Sequence, residues 1–337
     1  MKKRIIVFIA SVCAVCLTLS ALQLLVVPKY TDNPEGALIP EYYGEAGDHD
    51  VIFIGDCEVY ESFIPAVLWE EYGISSYVRG SAQQLVWQSY YLLEETLKYE
   101  TPKAVVFNVM ALKYGEPQRE AYNRMTLDGM RWSSSKIGSI SASMTEEESF
   151  IEYLFPLLRF HSRITELTSD DFKYALSTPK VSHSGYLMQT GVVPRTDFSV
   201  GRELLDYDIS DTAWSYLDGM RELCDKNGIE LILVKAPTNS WQYYWYDEWE
   251  SQVSEYAEKH SLSYYNFIPL CDEIGIDWSK DTYDAGAHLN VYGAEKMTSF
   301  FGNILKESHG LESKKDDAEL SCAWQTRLDA YYKERNK

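Results

Sequence analysis

A cysteine directly follows a short apolar segment, at a position where a thiol could act as a nucleophile. Residues 51–54 are uninterruptedly apolar, which is typical of a strand buried on both faces of a parallel sheet, and the Gly55-Asp56-Cys57 turn follows. Ligands of open α/β sheets bind just beyond the carboxyl ends of the strands. A helix N-terminus there would favour the thiolate. We therefore predict Cys57 as a nucleophile, the alternative being a small residue that merely fits the turn.

A second candidate group is a histidine in a glycine-containing loop near the other end of the chain. His288 immediately precedes a segment of helical period, and Asn290 is placed to cap that helix. A nearby carboxylate would hold the imidazole in the tautomer that a general base requires, and Asp281 and Asp284 are both close in sequence. A loop histidine considered by itself is more often a surface group.

The elements that must position these residues alternate between strands and helices. Besides 51–54, apolar strands are predicted at 104–107 and 229–234, with weaker candidates at 75–78 and 264–267. Segments of helical period lie between them, at about 61–72, 82–99, 150–167, 212–227, 247–260 and 291–307. This alternation predicts an α/β fold with a doubly wound parallel sheet and right-handed crossovers. Residues 110–210 interrupt the pattern as an insertion, of a kind that commonly forms lids or substrate walls.

Taken together, these segments resemble the SGNH/GDSL hydrolase family, over roughly residues 51–305. That family carries its nucleophile in a Gly-Asp-Ser turn after the first strand, which corresponds here to Gly55-Asp56-Cys57. The resemblance implies a flavodoxin-like sheet, oxyanion donors at Gly80 and Asn108, and a general base at His288. It also implies an esterase or acyltransferase that acts on ester bonds.

Three positions depart from the family pattern. Cysteine replaces serine at position 57, so the acyl intermediate would be a thioester. Ala285 occupies the position three residues before His288, where the family has aspartate, and we expect Asp284 to supply the carboxylate through a bulge at Gly286, with Asp281 as the alternative. Arg79 precedes the glycine of the second block, and the third block lacks the usual Gly-x-Asn-Asp around Asn108.

The N-terminus predicts a membrane anchor. Lys2-Lys3-Arg4 precedes an uncharged run at 5–27, which is long enough as a helix to span a bilayer of about 30 Å. The basic flank predicts a single-pass membrane protein with its C-terminal domain outside the cytoplasm, the alternative being a cleaved signal peptide. We expect an anchor at 1–28, a Pro- and Gly-rich stalk at 29–50, the α/β domain at 51–310 and a packed C-terminal helix at 311–337.

The composition restricts the partners. The formal charge of −20 repels nucleic acid and polyanionic polymers, so a neutral or cationic substrate fits the long-range field better. The sequence contains neither metal-ligand spacing nor a glycine-rich phosphate loop, and we predict no metal and no nucleotide cofactor. The spacings of the cysteines beyond residue 50 match no disulfide framework, and no CxxC motif includes Cys57, which disfavours a redox role for it.

An aromatic run follows the strand at 229–234. Lys235, Trp241 and Tyr244 could line a substrate wall, since aromatic faces pack on the apolar faces of sugars; alternatively the run packs on the insertion. The chain also resembles the membrane-anchored SGNH branch that includes the D-alanyl-teichoic-acid transfer protein and polysaccharide O-acetyltransferases. This resemblance implies acyl transfer or deacylation on cell-envelope polysaccharide, with a membrane-embedded protein that donates acyl groups as partner. The alternative is a non-catalytic binding or scaffolding protein with the same fold.

Overall fold

The sheet contains five parallel strands. The computed structural model describes residues 2–197, 199, 201–240 and 245–337. Within them the strand order is β2-β1-β3-β4-β5, the doubly wound order of flavodoxin-like folds. The strands are β1 (Val51–Gly55), β2 (Ser76–Gly80), β3 (Ala104–Asn108), β4 (Glu230–Lys235) and β5 (Ser263–Asn266). The predicted α/β fold class is confirmed, and both weaker strand candidates belong to the sheet.

Helices cover both faces of the sheet, and most lie where the period predicts them. The predicted helix at 150–167 is divided, because the chain leaves helical conformation at Phe155, just before Pro156. The α-helices are α1 (Lys2–Val26), α2 (Leu38–Glu41), α3 (Cys57–Tyr60), α4 (Pro65–Tyr72), α5 (Val86–Thr96), α6 (Glu120–Leu127), α7 (Ser134–Ser143), α8 (Phe150–Leu154), α9 (Pro156–Phe160), α10 (Ser169–Lys173), α11 (Asp211–Asn227), α12 (Asp247–His260), α13 (Cys271–Ile274), α14 (Val291–His309) and α15 (Ala318–Arg335).

Alternate side chains of the strands build a core on each face. Phe53 of β1 stacks on Phe63, with ring centroids 4.7 Å apart, in the core formed with α4, α14 and α15. Its neighbours Ile52 and Ile54 belong to the opposite core, formed with α5, α11 and α12. The C-terminal helix α15 is held by Trp324, which stacks on Trp69 of α4 at 5.3 Å. Because both faces are covered, the central strands β1 and β3 are buried along their whole length.

The segment 29–50, which its proline and glycine content predicts as a stalk, is packed on the domain. Leu38 and Ile39 of α2 are buried, and Tyr42 donates a 2.6 Å hydrogen bond to Glu100. Tyr42 also packs edge-on against Tyr77 of β2, with centroids 5.3 Å apart. Burial of these apolar side chains outweighs the local preference of proline and glycine for an extended connection. The segment therefore belongs to the folded domain.

The N-terminal helix α1 is long and apolar enough to cross a membrane. It has 25 residues with a mean hydropathy of 2.7 over its most apolar window, although a signal sequence has the same properties. Its last residue, Val26, is buried against the insertion, which contributes α6 to α10 between β3 and β4. The backbone N–H of Val193, in the insertion, donates to the carbonyl of Thr282 at 3.0 Å. The insertion therefore also contacts the loop that carries His288.

Candidate active site

The parallel register brings the candidate site residues to one edge of the sheet. Gly55 pairs with Gly80, Ile54 with Phe107, and Asn108 with Val234. The carboxyl ends of β1 to β4 therefore lie side by side, and the turn bearing Cys57 begins at this edge. This is the edge at which ligands of open α/β sheets bind.

The turn after β1 is closed by its own aspartate. Asp56 is extended and caps the short helix α3, since its Oδ1 accepts a 3.2 Å hydrogen bond from the backbone N–H of Glu58. Gly55 leaves no room for a side chain, because a Cβ there would lie 2.4 Å from Val59 Cγ2 and 3.0 Å from the Cβ of Asn108. The close packing places Cys57, a free and partly exposed thiol, at the first position of α3.

The loop before α14 positions the imidazole through a local bulge. Ala285 and Gly286 both have positive φ, of 63° and 92°, which inserts one residue between Asp284 and His288 relative to an Asp-x-x-His spacing. Oδ1 of Asp284 accepts the backbone N–H of His288 at 2.8 Å. Asn290 caps α14 by accepting two backbone N–H groups at 3.1 and 3.2 Å. The expected bulge thus lies at Ala285 and Gly286.

The two segments meet in a linear arrangement of thiol, imidazole and carboxylate. Nε2 of His288 lies 3.0 Å from Sγ of Cys57, and Nδ1 lies 2.6 Å from Oδ2 of Asp284. Asp281, the alternative carboxylate, points elsewhere and pairs with Lys296 at 2.6 Å. This is the arrangement by which a base takes a proton from a nucleophile while a carboxylate orients the base.

A second carboxylate, which the sequence reasoning missed, lies beside the same imidazole nitrogen. Oε2 of Glu61 is 3.5 Å from Nδ1 of His288, and Oε1 accepts a 2.8 Å hydrogen bond from the hydroxyl of Tyr283. Glu61 is buried, and its Oε2 has no hydrogen-bond partner among the described residues. Its position four residues after Cys57, one helical turn away, was the available signal.

The pKa values follow from this burial and these charges. Burial raises the pKa of Cys57 to about 11, although His288 opposes the shift. Burial disfavours the imidazolium of His288, but a Cys57 thiolate, the hydrogen bond to Asp284 and the charge of Glu61 outweigh it and raise its pKa well above the usual value. The Cys57 thiolate is the largest of the effects that raise this pKa, so the imidazolium is stabilised most when the proton has left the sulfur.

The two predicted oxyanion donors lie next to the turn. A Cβ on Gly80 would be 3.0 Å from the carbonyl oxygen of Gly55 and 3.4 Å from that of Asp56, so its backbone lies against the turn that carries Cys57. The side-chain amide of Asn108 donates to Oδ1 of Asp56 at 3.2 Å and to Oε2 of Glu58 at 2.9 Å. Both amide hydrogens of Asn108 are thus directed at carboxylates in this arrangement.

A buried ion pair supports the turn from below. Nζ of Lys235 lies 2.7 and 2.8 Å from the two carboxylate oxygens of Glu58, and both side chains are at most 1% exposed. Oδ1 of Asn108 also accepts the backbone N–H of Ala236 at 3.2 Å. The Lys235 side chain is fully buried beneath the site and therefore does not line a substrate wall. Its charge is compensated by Glu58. Trp241 and Tyr244, the other predicted wall residues, lie outside the described residues.

A small cavity opens beside the carboxylate of Asp284. It has a volume of about 190 Å³ and is lined by residues 195–197 of the insertion, by Ser240, and by the loop before His288. The side chain of Arg195 contacts Asn239 through both its carbonyl and its amide oxygen. Within the described residues, no cluster of three or more His, Cys, Asp and Glu side chains is arranged to hold a metal ion.

Comparisons with known proteins give weak structural similarity only. No protein-family model and no curated protein matches the sequence. A Bacteroides fragilis protein described as an acylhydrolase is similar in structure, with a TM-score of 0.39 and 11% identity over 84% of this chain and 98% of that chain. A GDSL-like lipase from Bacteroides thetaiotaomicron has a TM-score of 0.37 and 13% identity over 81% of this chain and 99% of its own. The identity is too low to transfer residue roles from either protein.

Proposed function

We propose that this protein is a membrane-anchored, extracytoplasmic acyl esterase or acyltransferase of the SGNH/GDSL type, acting on acyl esters of cell-envelope polysaccharide. The observation that supports it best is the contact line from Sγ of Cys57 through His288 to Asp284, at 3.0 and 2.6 Å. Three groups of the types required for acyl transfer meet at the edge of the sheet where ligands bind.

In the proposed reaction, Sγ of Cys57 attacks the acyl carbonyl carbon while its proton passes to Nε2 of His288. A carbon–sulfur bond forms, and a tetrahedral oxyanion results. Its collapse breaks the ester carbon–oxygen bond, and the His288 imidazolium returns the proton to the departing alkoxide. Water or a sugar hydroxyl then attacks the thioester, with His288 as base, and regenerates the thiol. Water gives hydrolysis, and a hydroxyl gives acyl transfer.

The proposed carboxylates have separate tasks. Asp284 accepts hydrogen bonds from Nδ1–H and from the backbone N–H of His288, so it fixes both the tautomer and the position of the ring. The backbone N–H of Gly80 is the proposed oxyanion donor. Asn108 would join it only after releasing a carboxylate, because its amide donates to Asp56 and Glu58. Each such donor is typically worth about 3 kcal/mol in the transition state.

The proposed substrate and location rest on the N-terminal segment and the charge. The basic residues at the start of α1 favour an N-terminus in the cytoplasm and a domain outside it. A net charge of −20 disfavours polyanionic substrates and is compatible with a neutral acylated glycan. The polysaccharide class comes from the resemblance to the anchored SGNH branch. A membrane-embedded protein that donates acyl groups is the corresponding partner.

A non-catalytic binding or scaffolding protein is the second candidate. Two observations favour it: burial raises the pKa of the Cys57 thiol to about 11, and both hydrogens of the Asn108 amide are directed at carboxylates. A protein that kept the pocket but lost the chemistry would require neither an accessible thiolate nor an assembled oxyanion site.

The test uses the full chain in lipid nanodiscs with an O-acetylated envelope polysaccharide and an unacetylated acceptor. We expect wild type to release acetate or to acetylate the acceptor, and Cys57→Ala to lose at least about a thousandfold in rate. Cys322→Ala, which removes an exposed thiol, is the matched control and keeps full activity. Equal turnover by Cys57→Ala would contradict the proposal. Glycan binding without turnover in wild type would support the scaffolding protein.

A further inference from the structure

Large apolar side chains are concentrated on the surface of one part of the insertion. We call residues 150–176 the insertion patch. Six of its large apolar side chains are 43–60% exposed, and Leu176 reaches 88%. Single exposed apolar residues are ordinary, but such a density within one segment marks a surface that binds a partner or a membrane. The exposed side chains are Ile151, Leu154, Phe155, Leu158, Ile164, Phe172 and Leu176.

The exposed apolar side chains and the buried Tyr153 lie on different sides of the segment 151–158. Ile151 and Leu154 lie on α8, Phe155 lies between the two helices, and Leu158 lies on α9. All four side chains are exposed. Tyr153, between them, is 2% exposed and packs on the domain. The domain side of the segment is thus anchored in a core, and the outer side is apolar.

The insertion patch is attached to the C-terminal end of α1. Nη1 of Arg163 donates to the carbonyl of Val26 at 2.5 Å, and Nη2 pairs with Asp171 at 2.8 Å. Helices α9 and α10 both contact α1. Nζ of Lys29 donates to the carbonyls of Leu24 and Val27, at 2.5 and 3.0 Å, and so caps the same end of α1. The insertion patch therefore lies beside the C-terminal end of α1, where the apolar sequence of the helix ends.

We propose that the insertion patch is a second membrane-binding surface, which lies in the interfacial layer of the bilayer that α1 spans. The proposal rests on the membrane anchoring of α1 proposed above. Lipid is the occupant because the patch is continuous with the lipid-facing surface of α1, where Leu24 is 44% exposed. Short helices with an apolar outer face bind bilayers at the boundary between headgroups and acyl chains. Two attachments would hold the domain in one orientation over the membrane.

Photo-crosslinking to lipid tests this inference. Full-length protein in nanodiscs carries p-benzoylphenylalanine in place of Leu158 or Leu176, in place of Leu17 within α1, or in place of the exposed Tyr332 on α15. After illumination, intact mass reports lipid adducts. We expect adducts at Leu17, Leu158 and Leu176 at several times the yield at Tyr332.

Three other outcomes would reject the insertion patch as a lipid-binding surface, and one of them would also reject the membrane anchor. Adducts at Leu17 alone would keep the anchor and reject the insertion patch as a lipid surface. Adducts at none of the positions would reject the anchor and the patch together. Crosslinked dimers at Leu158 and Leu176, without lipid adducts, would assign the patch to contact with a second copy of the chain and reject the proposal.

Discussion

The carboxylate of Glu61 lies 3.5 Å from Nδ1 of His288, the nitrogen that also contacts Asp284 at 2.6 Å. Two carboxylates therefore lie near one imidazole nitrogen. Of the two, Asp284 lies at hydrogen-bond distance from it and Glu61 lies farther away. Glu61 is held by the hydroxyl of Tyr283, whose ring stacks on the imidazole with centroids 6.2 Å apart. Glu61 is thus placed to act on the charge of the imidazole without replacing Asp284.

The substitution Glu61→Gln should stabilise the protein more at high pH than at low pH. Burial raises the pKa of Glu61 to about 7, although His288 opposes the shift, whereas in the unfolded chain it titrates near 4.5. Between these values the unfolded chain releases a proton that the folded protein keeps, so wild type loses stability as pH rises through this window. Glutamine does not titrate. Thermal unfolding at pH 4.5 and 7.5 measures the difference, with the exposed Glu312→Gln as control; a difference independent of pH would refute the prediction.

Alkylation of Cys57 by iodoacetamide should be slow at neutral pH and should accelerate about tenfold per pH unit toward pH 11, because only the thiolate reacts. His288→Ala should move the profile further upward, since His288 lowers the pKa of Cys57. Peptide mass mapping measures the rate at Cys57 beside that at the exposed Cys322. A pH-independent rate at Cys57 already at pH 6 would mean a stable thiolate–imidazolium pair and would contradict the prediction.

The substitution Lys235→Met should destabilise the fold by about 3–5 kcal/mol, because it leaves the buried charge of Glu58 without the cation that compensates it. The double variant Glu58→Gln/Lys235→Met should recover most of this loss, since no uncompensated charge remains. Denaturant unfolding gives the three free energies of unfolding. If the double variant were as unstable as Lys235→Met, packing and not charge would be responsible.

The substitution Gly80→Ala should impair acylation of Cys57 by roughly ten- to a hundredfold, because a small displacement of reacting groups costs rate steeply. The new Cβ would lie 3.0 Å from the carbonyl oxygen of Gly55 and 3.1 Å from the Tyr60 ring, and the turn must shift to admit it. Gly44→Ala is the matched control, since a Cβ there meets nothing within 4 Å. Equal acylation rates in the two variants would remove Gly80 from the site.

The sequence predicted β1, β3 and β4 because each contains a local run of apolar residues, whereas β2 and β5 contain polar residues and were weaker candidates. The resemblance to the SGNH/GDSL family predicted that Cys57 and His288 belong to one site. These residues are 231 positions apart, and the structure places them 3.0 Å from each other.

The remaining features depend on distant pairings that local patterns do not encode. Glu58 and Lys235 are 177 residues apart, so no local pattern in the sequence indicates that their charges form a pair. The prediction that Lys235 lines a substrate wall rests on its place after β4 and does not include this burial. The proline and glycine content of 29–50 likewise concealed the burial of Leu38 and Tyr42, which depends on contacts with residues of the domain.

The central claim is that Cys57 forms a thioester with the help of His288. Intact-mass analysis of the full chain after incubation with an activated acyl ester tests it most directly, in wild type, Cys57→Ala and His288→Ala. We expect wild type to gain one acyl mass that maps to Cys57 and is removed by hydroxylamine, Cys57→Ala to gain none, and His288→Ala to gain it about a hundredfold more slowly. An unmodified Cys57 in wild type, with its thiol shown to be free, would contradict the account.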